Sequence, residues 1–243
     1  PNKEEMAILK DLPDLPEGVL KEPVGVLNKE ANIKKRLRQA QRLLKQAGYK
    51  IENNIAVGPG GKLEVEFLLS NAGFSRIIDP WAQNLRKLGI IVKQVQKERS
   101  EYVRRVENWE FDMIVFSRAQ SQSPGNEQKS QWGSELADKK YSQNVLGVKN
   151  KAVDALIEKI IYADTREKLE LYTRCLDRVL YHHHILVHNW HIDGHRVVFW
   201  NRFGRPVEFP QYYTPSLMLE YLWVDKDLEN KLSKAMSAGK PLF

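Results

Sequence analysis

The stretch KLEVEFLLSNAGFSRIIDPWAQNLRKLGIIVKQVQ, residues 62–96, decides the fold, because its hydrophobic period changes from two to about 3.6 and back. A strand with one apolar face is predicted by the residues at every second position, Leu63, Val65, Phe67 and Leu69. A helix follows over 74–89 and ends at Gly89, with Pro80 expected to kink it or to mark its effective start. A second strand, IIVKQVQ, occupies 90–96.

The same alternation continues on both sides of this stretch. Residues 98–109 predict another helix and FDMIVFS, residues 111–117, a short apolar strand, so the order is β-α-β-α-β. Short crossovers of this kind favour parallel strands in one sheet. Upstream, an amphipathic helix is predicted that stops at Gly48, and its apolar positions are Ile33, Leu37, Ala40, Leu44 and Ala47. After it, VGPGGK, residues 57–62, predicts a hairpin or linker turn. The fold class is therefore α/β.

The second half of the chain begins with a polar, irregular stretch over 118–134, which we expect to be a long loop. It leaves the carboxyl end of a parallel strand, where open α/β sheets bind ligands. Helices are predicted over 150–163 and 164–181, the second opened by Asp164 and Glu167 at capping-box spacing. Strands over 185–191 and 195–200 would form a hairpin through Asp193-Gly194. The tail predicts a short strand and a helix with Leu228, Leu232 and Met236 inward.

Composition excludes several classes of protein. The chain has 243 residues, 42% of them hydrophobic, and no apolar run approaches the ~18–20 residues that cross a bilayer. Its net charge of +7 would suit a nucleic-acid partner. However, basic and acidic residues alternate in stretches such as 28–46, which favours solvated helix faces and no nucleic-acid role.

The chain opens without an initiator Met or an apolar leader, so we expect any targeting signal to lie outside it.

Catalytic and cofactor motifs are not recognisable in the sequence. There is no glycine-rich phosphate loop, no GxSxG and no HExxH. Cys175 is the only cysteine, which excludes an internal disulfide, and its helical face is apolar, which favours a buried, inert thiol. We therefore expect no enzyme activity and no cofactor.

All six histidines lie between His182 and His195. Zinc needs three or four converging ligands, and in the predicted hairpin at most two of His188, His191 and His195 converge. The other three follow a helix and suit its C-terminal dipole. A metal site, a pH-sensitive surface cluster and a polar contribution to a ligand cleft stay open, with His191 the candidate for the cleft.

The order and spacing of several segments resemble the C-terminal part of the peptide-type, family 5 extracellular solute-binding proteins of bacterial ABC importers. The likeness runs from about Glu4 to the tail, and SPGNE, residues 123–127, is most similar to the branch that contains the microcin C and oligopeptide importer component. The segments are LLKQAGY (43–49), WAQNLRKLGIIVKQV (81–95), FDMIVFS (111–117), VKNKAVDALIEKI (148–160), REKLELYTRCLDRVL (166–180) and HNWHIDGHRVVFWNRFGRP (188–206).

The resemblance implies a lobe like that of type II periplasmic binding proteins, with a mixed sheet and flanking helices. Two such lobes would close over a peptide in the periplasm and deliver it to an ABC permease in the inner membrane. Residues 1–30 would be the leading segment and inter-lobe linker, 31–200 the α/β C-terminal lobe, and 201–243 a segment returning to the N-terminal lobe of the same protein. The alternative function that the resemblance allows is capture of a metal or metallophore through the His182–His195 cluster.

The resemblance also implies the ligand-binding residues. The family's ligand wall includes the loop after the FD strand, which here supplies Ser117, Arg118, Gln120 and Ser121. Several oligopeptide binders hold an aspartate here for the peptide amino terminus, where this chain has Ser121, and Arg118 would instead attract a carboxylate or phosphate. The family's contacts from the last strand fall on Trp190 and His191, and strand alternation lets one of them face the cleft, with His191 preferred. Trp132 would be a second aromatic wall or a packing residue.

Overall fold

The structure is a computed structural model that describes residues 1–24, 32–190, 197–209 and 215–239. The chain divides into two compact units, Pro1–Leu186 and Val187–Phe243, which are described separately. The α-helices of the described residues are α1 (Lys3–Leu9), α2 (Ile33–Gln46), α3 (Ser75–Arg86), α4 (Arg99–Glu107), α5 (Glu127–Trp132), α6 (Lys151–Ile161), α7 (Arg166–His182) and α8 (Lys226–Ser237). None of them is long and apolar enough to span a membrane.

The strands of the described residues form three small sheets. They are β1 (Lys50–Glu52), β2 (Ile55–Gly58), β3 (Gly61–Lys62), β4 (Glu64–Leu69), β5 (Ile91–Gln96), β6 (Met113–Ile114), β7 (Phe203–Gly204) and β8 (Trp223–Val224). Strands β1, β2 and β3 form an antiparallel meander, and β5-β4-β6 form a parallel sheet with β4 in the centre. The predicted β-α-β-α-β order and the hairpin at VGPGGK are confirmed. The third parallel strand is shorter than predicted, with two paired residues.

The parallel sheet packs apolar side chains on both faces at the carboxyl end of β4. Leu68 is buried as fully as its neighbours Phe67 and Leu69, so this end of the strand is apolar on both faces. Helix α3 covers one face, where Trp81 meets Phe67 edge to face at 5.9 Å. Pro80 lies inside α3, so the helix passes through the proline and does not begin there.

Gly89 ends the connection from α3 to β5 in a conformation that requires glycine. Its φ is +77°, and a Cβ there would lie 2.5 Å from the backbone nitrogen of Ala56. The two backbones meet because the Ala56 amide donates to the Gly89 carbonyl at 2.8 Å. This contact joins the meander to the parallel sheet.

The larger core of the first unit lies between α6 and α7. Its buried members include Leu156 and Val179, and Leu9 and Val19 from the leading segment join them. Arg178 anchors that segment by donating to the carbonyls of Val19 (2.9 Å) and Glu22 (2.6 Å). Residues 1–24 thus belong to the first unit, while the division of the chain at residues 30 and 200 stays a prediction.

The N-cap of helix α7 lies one residue later than predicted. Its N-cap is Thr165, whose hydroxyl accepts from the Lys168 amide at 3.3 Å. Asp164 instead pairs with the Lys168 ammonium at 2.8 Å. The capping-box assignment to Asp164 was wrong because its carboxylate reaches the side chain and not the orphan amide.

The second unit contains the sheet β7-β8 and helix α8. The predicted strands were wrong over 185–190 and 197–200, which have no regular structure, and the turn Asp193-Gly194 lies outside the described residues. Large apolar side chains such as Val198 and Trp200 are exposed there, so no packing surface supports a strand. In α8, Leu232 is buried, whereas Met236 was wrongly placed inward and is 60% exposed.

Candidate functional site

The candidate site is the loop over 117–125, called the site loop below. It follows β6 at the edge where the carboxyl ends of the parallel strands β4, β5 and β6 meet. In open α/β sheets ligands bind outside this edge. The prediction of one long loop over 118–134 was wrong, because α5 occupies Glu127–Trp132. The helix gives the site loop a fixed support.

Arg118 is held between two aromatic rings. Its guanidinium carbon lies 4.9 Å from the centre of the Phe116 ring and 5.0 Å from that of Trp132, and Nη2 donates to the carbonyl of Gln143 at 2.8 Å. Nε is buried without a partner in the described residues, whereas Nη1 reaches solvent and makes no hydrogen bond there. Burial lowers the pKa of Arg118, which still stays cationic. The arrangement presents one free edge of a fixed cation.

Gln120 is tied to α5 through both ends of its amide. Nε2 donates to Oε1 of Gln131 at 2.7 Å, and Oε1 accepts from Nε2 of Gln128 at 2.7 Å. Gln128 and Gln131 are buried, so this amide ladder satisfies polar groups that could not reach water. The Gln120 side chain therefore supports the site loop, in addition to any hydrogen bond that it makes to a ligand.

Two further contacts fix the end of the site loop. The Gly125 amide donates to Oε1 of Glu127 at 2.9 Å. Burial alone would raise the pKa of Glu127, but this hydrogen bond and those of neighbouring donors lower it overall, so the carboxylate is ionised at neutral pH. From α7, Arg166 donates to the carbonyl of Gln122 at 2.5 Å. The backbone of the site loop is thus preorganised, while Ser117 and Ser121 are exposed on it.

A buried asparagine holds the segment behind Trp132. Asn144 is fully buried and donates through Nδ2 to the carbonyls of Gly133 (3.1 Å) and Val148 (2.8 Å), while its Oδ1 accepts from the Val148 amide at 2.9 Å. Its neighbour Gln143 supplies the carbonyl that receives Arg118. The asparagine therefore fixes the position of that acceptor.

The predicted aromatic residues lie in different environments. Trp132 is 7% exposed and stacks on Arg118, so its ring supports the cation and is not an open wall. Trp190 is 62% exposed and belongs to the second unit. His191 lies outside the described residues. The structure brings together Arg118, Gln120 and Trp132, with Ser117 and Ser121 on the same loop.

The histidine cluster forms no metal site in the described part of the chain. No group of three potential ligands is found there, and His191 and His195 lie outside it. His182 is buried at the end of α7, and neither ring nitrogen has a hydrogen-bond partner of normal geometry among the described residues. Burial and the Arg178 cation lower its pKa, and burial also lowers that of His183. A neutral His182 is an ordinary consequence of this apolar helix end.

Several residues that shape the site were not predicted from the sequence. They are Phe116, Gln128, Gln131, Gln143 and Arg166. The three-residue spacing of Gln128 and Gln131 is a signal, since it places both amides on one face of a helix. Gln143 and Arg166 contact the site loop from 25 and 44 positions away, which no local pattern reveals, while Phe116 lies only two positions before Arg118.

Comparisons with known proteins identify relatives over most of the chain. The sequence model for the middle part of the bacterial extracellular solute-binding proteins, family 5, matches residues 15–139, slightly more than half of the chain. A probable peptide-binding protein, YejA, from Agrobacterium fabrum is 36% identical over 219 residues, which are 87% of this chain and 35% of the relative. The chain thus spans about a third of the length of that relative.

Solved structures share the fold. NikZ from Campylobacter jejuni, solved in complex with Ni(L-His), matches with a TM-score of 0.53 at 19% identity, covering 61% of this chain and 30% of that one. The oligopeptide-binding protein AppA from Bacillus subtilis, in complex with a nonapeptide, matches with a TM-score of 0.50 at 24% identity, covering 60% and 29%. The predicted α/β lobe of the type II periplasmic-binding-protein kind is confirmed.

Proposed function

Because this chain belongs to the bacterial extracellular solute-binding proteins of family 5, we propose that the protein binds peptides in the periplasm and delivers them to an ABC permease in the inner membrane. The family consists of substrate-binding proteins, so the proposed role is binding without catalysis or cofactor. The peptide lies between an N-terminal lobe and the lobe formed by residues 31–200, with 1–30 as linker and 201–243 as the returning segment. Ligand then biases an equilibrium between open and closed lobes.

The observation that carries this proposal is the rigid backbone of the site loop. Arg118, Gln120, Gln122 and Gly125 are each held by a hydrogen bond to a neighbouring element. A fixed loop at the carboxyl edge of the sheet offers its free backbone groups and serine hydroxyls to an extended peptide without losing conformational entropy. Wet pockets around such a backbone tolerate varied side chains.

Arg118 gives the proposed site a preference for an anionic group. Its exposed Nη1 is the end of a cation whose other nitrogens are buried or used within the protein. A peptide carboxylate would form a charge-assisted hydrogen bond there. Ser121 stands where related proteins hold an aspartate, so the free amino terminus is not expected to be the main contact. The resemblance to the family also keeps Trp190 and His191 in the proposed ligand set, Trp190 for stacking and His191 for a polar contact.

Calorimetric titration with matched short peptides tests this proposal. A mixture of peptides with free carboxyl termini is compared with the same peptides as carboxamides. Charge-assisted hydrogen bonds are worth about 1.5–3 kcal/mol, so the free acids should bind the intact protein roughly 10- to 100-fold more tightly. Arg118→Met keeps an apolar chain between the rings and should abolish that preference.

Arg104→Met is the matched control, because it removes one cation from α4, where Arg104 pairs with Glu101 and Glu110. It should retain the preference for free acids. Peptides that bind with equal affinity as acids and amides would contradict the role of Arg118, and no peptide binding at all would contradict the proposed function. Titration with Ni²⁺ and Zn²⁺, with His191→Ala alongside, tests the alternative of metal capture through the His182–His195 cluster.

A further inference from the structure

Helix α2 concentrates the positive charge of the chain. Its 14 residues contain six cations and no acidic residue, so they account for six of the seven net positive charges of the protein. The sequence suggested alternating charges over 28–46, but the helix begins only at Ile33, beyond the acidic residue of that stretch. Helix α2 therefore carries basic and no acidic side chains.

Four of the six cations of α2 lie on one side of the helix. With about 100° per residue and a rise of about 1.5 Å, four of them fall within an arc of about 80° and a length of about 17 Å. This cationic stripe consists of Lys34, Arg38, Arg42 and Lys45. Their spacing of four, four and three residues is that of neighbours along a helix face.

No carboxylate neutralises the cationic stripe within the described part of the chain. Other basic helices differ in this respect. On α4, Arg104 and Arg105 pair with glutamates, and on α7, Arg166 and Lys168 pair with acidic residues one turn away. The field of the stripe is thus directed outward and available to an anionic surface.

The opposite side of α2 carries aliphatic residues together with Arg36, and part of it is accessible. Ile33 is 42% and Leu43 58% exposed, and α2 buries none of its residues among those described. A helix with cations on one side and aliphatic residues on the other is the pattern that lies in the plane of a membrane interface. A nucleic acid would use the cations but not the aliphatic side.

We propose that α2 binds the surface of a membrane rich in anionic phospholipids, with the cationic stripe at the phosphates and the aliphatic side toward the acyl chains. The choice of a membrane extends the proposed function, in which the protein meets a permease in a bilayer. Attraction to the surface would bring the loaded protein close to its permease before docking.

Co-sedimentation of the intact protein with vesicles tests this proposal. Vesicles of phosphatidylcholine mixed with phosphatidylglycerol should bind it, and vesicles of phosphatidylcholine alone should not. Each cation near an anionic surface contributes about fivefold to binding, so the triple variant Lys34→Gln, Arg38→Gln, Arg42→Gln should bind on the order of 100-fold more weakly. Added salt should also weaken the binding of the wild type to the anionic vesicles.

The matched control is the triple variant Lys62→Gln, Lys139→Gln, Lys231→Gln, which removes the same charge from exposed lysines outside α2. It should bind vesicles nearly as well as the wild type. An equal loss in both variants, no binding at low salt, or tighter binding to duplex DNA than to the anionic vesicles would overturn the proposal. Peptide affinity of the α2 variant should be unchanged, which separates failure here from failure of the proposed function.

Discussion

Replacing Asn144 by alanine should destabilise the protein and loosen the support of the site loop. The substitution removes three hydrogen bonds and leaves the Val148 amide and two carbonyls without this partner in a fully buried place. A buried amide without a partner costs about 1–3 kcal/mol, and each lost bond at a carbonyl adds about 1 kcal/mol. The free energy of unfolding should therefore fall by about 3–5 kcal/mol.

Urea unfolding followed by circular dichroism measures this change, and Tm should fall by about 10 °C. Asn201→Ala makes the same chemical change at an exposed position and should be nearly neutral. A loss below about 1 kcal/mol for Asn144→Ala, close to that of the control, would refute the reasoning, because unsatisfied buried groups would then be tolerated there.

The same substitution should also be coupled to Arg118. The Gln143 carbonyl that accepts from Arg118 directly precedes Asn144, so its displacement removes the anchor of the guanidinium. In a double-mutant cycle on peptide affinity, Asn144→Ala should cost little once Arg118→Met is present. Additive losses would show that Asn144 affects peptide affinity independently of Arg118 and would contradict this coupling.

Three further outcomes follow from single sites. Gly133→Ala should destabilise the end of α5, measured by urea unfolding, because a Cβ would lie 2.6 Å from the carbonyl oxygen of Lys129. His182 has a lowered pKa in the folded state, so the unfolded state binds more protons and stability should fall as the pH drops below about 6.5; His182→Leu should flatten this dependence in thermal melts from pH 8 to pH 5. Burial raises the pKa of Cys175 to about 11, so its thiol should resist a thiol reagent at neutral pH until the protein is unfolded.

Hydrophobic periodicity predicted the elements whose packing partners lie near them in sequence. Strands β4 and β5 and helix α3 follow one another, and each buries the face that its period indicates. The predicted strand over 185–190 failed because β propensity needs a surface to pack on, and Val187 and Trp190 are exposed there. Helix α5 was missed because five of its six residues are polar, so it shows no clear hydrophobic period.

The roles of the candidate site residues were also only partly predictable from the sequence. The order of the predicted elements placed the loop at the carboxyl edge of the sheet, and the family resemblance selected Arg118 and Gln120 on it, but only the structure shows that each is tied to a residue outside the loop. An amide whose two ends are both used internally contributes mainly to rigidity, so we infer that Gln120 positions the loop. Direct contact with a peptide then falls to the exposed hydroxyls of Ser117 and Ser121 and to Nη1 of Arg118. Variants of Gln120 should accordingly weaken all peptides alike, whereas variants of Arg118 should change the discrimination between acids and amides, and peptide titration of both separates positioning from recognition.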